Sequence, residues 1–126
     1  MNNPLILVID DDKAIRFLLE RIFADKFSVK SFGDVIHATA WLDEGNIPHV
    51  IICDINMPYI SGIEFMLNIH SSGIYGNVPI IMLSSFSQEE AGKKCMEMGA
   101  YAYFEKPFDP QELLQTVHKI FGETNS

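Results

Sequence analysis

Four apolar runs in this 126-residue chain stop on residues that can do chemistry. Leu5-Ile-Leu-Val-Ile9 gives way to Asp10-Asp11-Asp12, Val50-Ile-Ile-Cys53 to Asp54, Ile80-Ile-Met-Leu83 to Ser84-Ser85, and the stretch Ala102 to Glu105 to Lys106-Pro107. Short apolar runs bounded by turn residues read as buried strands, and a carboxylate is too costly to bury within one, so the polar groups belong at the strands' carboxyl ends. In an open parallel sheet those ends share one edge, where ligands bind. Carboxylates gathered there repel unless a divalent cation neutralises them, and an all-oxygen donor set suits Mg²⁺, with Mn²⁺ as a substitute. Taken singly, each group has a plainer use. Asp10-Asp11-Asp12 can serve a turn and a helix cap, Asp54 can start a turn, and Lys106 can be a solvated lysine, although its place before proline restricts it. The case for chemistry rests on their convergence.

The elements that must position these groups alternate along the chain. After the first strand, Ile15, Leu18, Leu19, Ile22 and Phe23 recur at helical spacing behind Asp12 as cap. A short strand around Phe27 to Ser31 follows, then a helix from Val35 to about Glu44, capped by Asp34 and closed by Gly45. Ser61 with Glu64, and Ser87 with Glu90, have capping-box spacing. They predict a third helix carrying Ile63, Met66, Leu67 and Ile69, and a fourth running to Met98 with Gly99 as its terminator. Asp109, Pro110 and Glu112 start a fifth helix that Gly122 is expected to end. Strands alternating with helices imply right-handed crossovers, hence an α/β doubly wound domain of five parallel strands and five flanking helices with flavodoxin-like topology. Residues 1–122 form that domain on this reading, and 123–126 a short tail.

Composition narrows the function. A formal net charge of -8 argues against binding nucleic acid through its phosphates, and no apolar stretch approaches a membrane span. The start Met-Asn-Asn-Pro has no secretory pattern, so a cytoplasmic location is expected. Cys53 and Cys95 form no C-x-x-C and read as reduced packing residues. Trp41 is expected to pack within the second helix, and the dispersed histidines suggest no zinc site.

In the order Val8-Ile-Asp10-Asp11, Asp54-Ile-Asn-Met-Pro58 with Gly62, Ser84-Ser85 and Lys106-Pro107-Phe108, the chain resembles the receiver domain of two-component response regulators. The resemblance covers nearly its whole length. It implies that Asp54 is a phosphoacceptor, attacking a phosphohistidine or a small acyl phosphate. It also implies that Asp11 binds Mg²⁺ directly, that Asp10 acts through metal-bound water, and that the carbonyl of Asn56 completes the protein's share of the metal shell. Lys106 would pair with Asp54 and then with a phosphoryl oxygen, to which Ser84, in place of the commoner threonine, would donate its hydroxyl. Such a protein catalyses its own phosphorylation and dephosphorylation and is not a conventional turnover enzyme.

Further expectations follow from the resemblance. Tyr103 matches the switch aromatic, moving inward as Ser84 is drawn toward the phosphoryl group. Asn56 and Phe86 occupy the two positions that tune phosphoryl lifetime. Partners would be a sensor histidine kinase or phosphotransfer protein, and a downstream protein or second copy on the face of the fourth helix, fifth strand and fifth helix, including Lys93, Lys94, Tyr101 and Tyr103. Two rivals share parts of the pattern. A haloacid-dehalogenase-like hydrolase wants D-x-D where Asp54-Ile-Asn56 stands, and a flavin-phosphate binder wants a phosphate loop where three aspartates stand.

Overall fold

Each of the apolar runs forms a strand, and the strands lie in one sheet. The structure, a computed structural model, describes residues 3–57 and 60–125. The order is β1 (Leu5–Ile9), α1 (Lys13–Phe23), β2 (Ser28–Phe32), α2 (Val35–Asp43), β3 (Val50–Asp54), α3 (Gly62–His70), β4 (Ile80–Ser84), α4 (Lys93–Glu97), β5 (Ala102–Glu105) and α5 (Pro110–Asn125). All strand pairs are parallel, in the order β2-β1-β3-β4-β5. Ile9 lies opposite Cys53, Asp54 opposite Leu83 and Ser84 opposite Glu105, so the chemical residues leave the sheet along one edge.

Side chains alternate between the two faces of each strand, and each face has its own core. Leu7, Ile9, Ile51, Cys53, Ile80 and Met82 pack toward α2, α3 and α4, while Ile6, Val8, Val50, Ile52, Ile81 and Leu83 pack toward α1 and α5. These twelve side chains are fully buried, each worth about 1.5–3 kcal/mol in the usual apolar bookkeeping, which fixes the strand registers and hence the site. Trp41 packs on Phe32 with ring centroids 5.9 Å apart. Cys53 and Cys95 are free and buried, and burial raises both thiol pKa values.

The caps fall where the polar residues put them. Asp12 Oδ1 accepts from Ala14 N at 2.8 Å, Asp34 Oδ1 from His37 N at 2.8 Å, Ser61 Oγ from Glu64 N at 3.2 Å and Ser87 Oγ from Glu90 N at 3.1 Å. Gly45 and Gly99 take positive φ, 100° and 110°, at the ends of α2 and α4.

Two boundaries differ from the sequence reading. The segment after Ser87 first makes a π-helical turn, Gln88–Gly92, and only then α4. That wider turn lies over the ring of Tyr103, where a Cβ on Gly92 would stand 3.0 Å from Tyr103 Cδ1. Nor does Gly122 stop α5, which continues to Asn125. Among the described glycines only Gly45 and Gly99 have positive φ, and a glycine in helical conformation costs only about 1 kcal/mol relative to alanine. Pro58, expected to follow the third strand, and Ser126 of the expected tail lie outside the described residues.

Candidate functional site

Asp10 follows β1 with its carboxylate fully buried and both oxygens engaged. Oδ1 accepts from Asp12 N at 2.9 Å and Oδ2 from Lys106 Nζ at 2.9 Å. Its main chain is tied as well: Asp10 N donates to Phe32 O at 3.1 Å, and Arg16 Nη1 donates to Asp10 O at 2.6 Å. Asp11, the next residue, is exposed. Asp54 closes β3 at 2% exposure, and Asn56 N donates to its Oδ1 at 3.1 Å.

Lys106 is carried in by the main chain, since its N–H donates to Ser84 O at 2.7 Å, and the Lys106-Pro107 bond is cis. Its ammonium bridges the two buried acids, 2.9 Å from Asp10 Oδ2 and 3.4 Å from Asp54 Oδ2. The sequence pairs Lys106 with Asp54, but the shorter contact is with Asp10. Burial penalises the ammonium, yet the hydrogen bond and charge of Asp10, followed by Asp54, outweigh that penalty and raise its pKa. Asp54 is pushed from 3.8 to about 6, first by burial and then by the charge of Asp10, with Lys106 only partly offsetting them. The group is therefore mostly ionised at neutral pH, as a nucleophile must be, and it is held in an environment short of positive charge.

One carboxylate oxygen from each of Asp10, Asp11 and Asp54 lies within 4.8 Å of the other two. This all-oxygen, partly solvent-facing set fits Mg²⁺. Each oxygen of Asp10 and Asp54 already makes one contact, and the exposed Asp11 is the most open of the three.

Gly62 fixes how closely α3 approaches this edge. Its N–H donates to Ile55 O at 3.1 Å, and a Cβ there would stand 2.2 Å from Asp54 O and 2.9 Å from Asp54 C. Backbone atoms cannot turn aside. We expect Gly62→Ala to destabilise the fold by about 3 kcal/mol, read as a lower urea midpoint, and an unchanged midpoint would refute this close approach.

Ser84 is fully buried at the end of β4. Its Oγ accepts from Phe86 N at 3.0 Å and donates to Asn56 Oδ1 at 3.1 Å. The sequence does not announce this second bond: it points Asn56 to a metal-shell carbonyl and to phosphoryl lifetime, and no pattern links residues 28 positions apart. Tyr103, expected to move inward only on activation, already lies inward, 8% exposed, where its hydroxyl donates to the carbonyl of Phe86. Burial raises the pKa of this phenol, keeping it a neutral donor. The Phe86 side chain itself is 45% exposed.

Against known proteins, the model of the response regulator receiver domain family matches residues 6–118. The hydrogenase transcriptional regulatory protein HoxA of Bradyrhizobium diazoefficiens is 34% identical over 115 residues, 89% of this chain but only 23% of HoxA, so the chain spans about a quarter of that relative. The receiver domain of the Francisella response regulator 1452 superposes with a TM-score of 0.85 at 30% identity, covering 97% of this chain and 99% of that one. The chemotaxis response regulator CheY4 of Vibrio cholerae gives 0.84 at 30% identity, covering 94% and 99%. Receiver domains take a phosphoryl group on aspartate in two-component signalling, and the family generally binds Mg²⁺ and interacts with histidine kinases or phosphotransfer proteins. With these matches, this chain belongs to the response regulator receiver domain family.

Proposed function

We propose that Asp54 is the residue of this receiver that accepts the phosphoryl group. The observation that carries the reading is a buried, ionisable Asp54 beside Asp10 on the sheet's carboxyl edge, the two acids bridged by the Lys106 ammonium. An Asp54 carboxylate oxygen attacks phosphorus, the new O–P bond forms as the P–N bond to a kinase or phosphotransfer histidine breaks, and the released imidazole keeps the electron pair. Asp11, Asp54 and the Asn56 carbonyl would hold Mg²⁺, with Asp10 reached through water. When bound, that ion neutralises charge on the transferring phosphoryl oxygens. Lys106 moves from carboxylate to phosphoryl oxygen, and Ser84 donates to another, both from prepared positions.

The readout we assign is the face of α4, β5 and α5, with exposed Lys93 and Lys94 and inward Tyr103, used by a downstream protein or a second copy in the cytoplasm. Binding of Mg²⁺ with beryllofluoride, a phosphoryl mimic, tests the site. Wild type should bind and change its size or partner affinity, Asp54→Ala should do neither, and Tyr103→Ala should bind without the change. Equal binding by Asp54→Ala would overturn the assignment.

Phosphoryl lifetime should depend on Phe86. Its apolar ring cannot orient water, whereas a carboxylate at this half-exposed position can. Phe86→Glu is expected to speed self-dephosphorylation by at least about tenfold, followed as phosphate release; an unchanged rate would remove Phe86 from that role.

A further inference from the structure

The hydroxyl of Ser84 has one proton. Phe86 N already donates to its oxygen, so the proton is free to be given away, and Asn56 Oδ1 accepts it at 3.1 Å, with the Tyr103 hydroxyl as a second polar neighbour. Phe86 N already gives the fully buried Ser84 oxygen a partner, and the bond to Asn56 is what gives the Ser84 proton an acceptor. Asn56, by contrast, is exposed, and water can replace Ser84 at its carboxamide with little loss.

We infer that the Asn56 carboxamide is a positioning residue that holds the Ser84 proton in the unmodified state and must surrender it to the phosphoryl oxygen. The inference rests on the reading above in which Ser84 donates to that oxygen. It assigns the side chain a role separate from the Asn56 carbonyl, which is main chain and survives substitution. Asn56 also reports on the acceptor itself, since its N–H donates to Asp54 Oδ1, so one residue touches both ends of the route from carboxylate to switch hydroxyl. The competing bond is worth about what a net hydrogen bond is worth, so removing it should tighten binding of a phosphoryl mimic by roughly fivefold.

The test is a double-mutant cycle on the intact chain with Asn56→Ala and Ser84→Ala. Calorimetric titration with beryllofluoride and Mg²⁺ should show Asn56→Ala binding roughly fivefold tighter than wild type, and no effect of Asn56→Ala once Ser84 is alanine. Tightening of the same size in both backgrounds, or weaker binding by Asn56→Ala, overturns the inference. Thermal unfolding of the metal-free proteins separates this from the reading it rests on. Non-additive midpoints support the Asn56–Ser84 bond even if Ser84→Ala binds the mimic as wild type does, a result that would sink only the role of Ser84; additive midpoints overturn the bond itself.

Discussion

Replacing Asp54 by asparagine is expected to stabilise the metal-free domain by about 2 kcal/mol at pH 7.5 while abolishing its response to Mg²⁺. Burial and the charge of Asp10 put the Asp54 pKa at about 6, above its ordinary 3.8. A group with a raised folded-state pKa contributes stability that is fully present below the unfolded value and is lost as pH rises through the folded one. For Asp54 that window runs from about 3.8 to about 6, and above it the ionised carboxylate costs the fold about 3 kcal/mol. The asparagine does not ionise, so the cost disappears, less what Lys106 loses with its 3.4 Å partner. Urea unfolding of both proteins against pH, with and without Mg²⁺, reads the effect. Wild type should weaken between pH 4 and pH 7 relative to the variant and recover with Mg²⁺, and parallel pH profiles would contradict the assigned strain.

Substituting Lys106 by methionine should have the opposite sign, destabilising the metal-free domain by about 3 kcal/mol at neutral pH. Among the described residues the ammonium is the one cation within salt-bridge distance of Asp10 and Asp54, and methionine keeps its bulk while leaving two buried acids without that partner. Because the Lys106 pKa is raised, its contribution is full below the ordinary lysine value and fades only as pH climbs through the folded one. The loss should therefore be undiminished at pH 7 and shrink toward pH 4, where Asp54 takes up a proton. If methionine at 106 is tolerated within about 0.5 kcal/mol, the bridge does not hold the site together.

The strands that carry the site were legible because each announces itself twice, as an apolar run and by the polar residue that ends it. Leu5–Ile9, Val50–Asp54 and Ile80–Ser84 are buried on both faces, so their sequences needed no alternation to be read. Capping residues set the helix starts equally well. What stayed hidden depends on contacts across the fold. Ser87 and Glu90 locate a cap but say nothing of the π-helical turn over Tyr103, and Gly122 looks like a stop only until the helix is seen to continue. Leu18 and Leu67 keep the apolar spacing of their helices yet are 37% and 46% exposed, at the margins of the buried stripes. Within the site, the sequence could bring Lys106 to the acidic edge but could not rank Asp10 over Asp54 as its nearer partner, and it gave no hint that the Asn56 side chain receives the Ser84 proton.

The central claim is that this edge makes Asp54 a phosphoryl acceptor. Intact-mass analysis after incubation with acetyl phosphate and Mg²⁺, with peptide mapping of the modified residue, tests it most directly. The account predicts one phosphoryl group per chain, located on Asp54, absent without Mg²⁺ and absent in Asp54→Ala. A phosphoryl group mapped to another residue, or gained equally by Asp54→Ala, would contradict it.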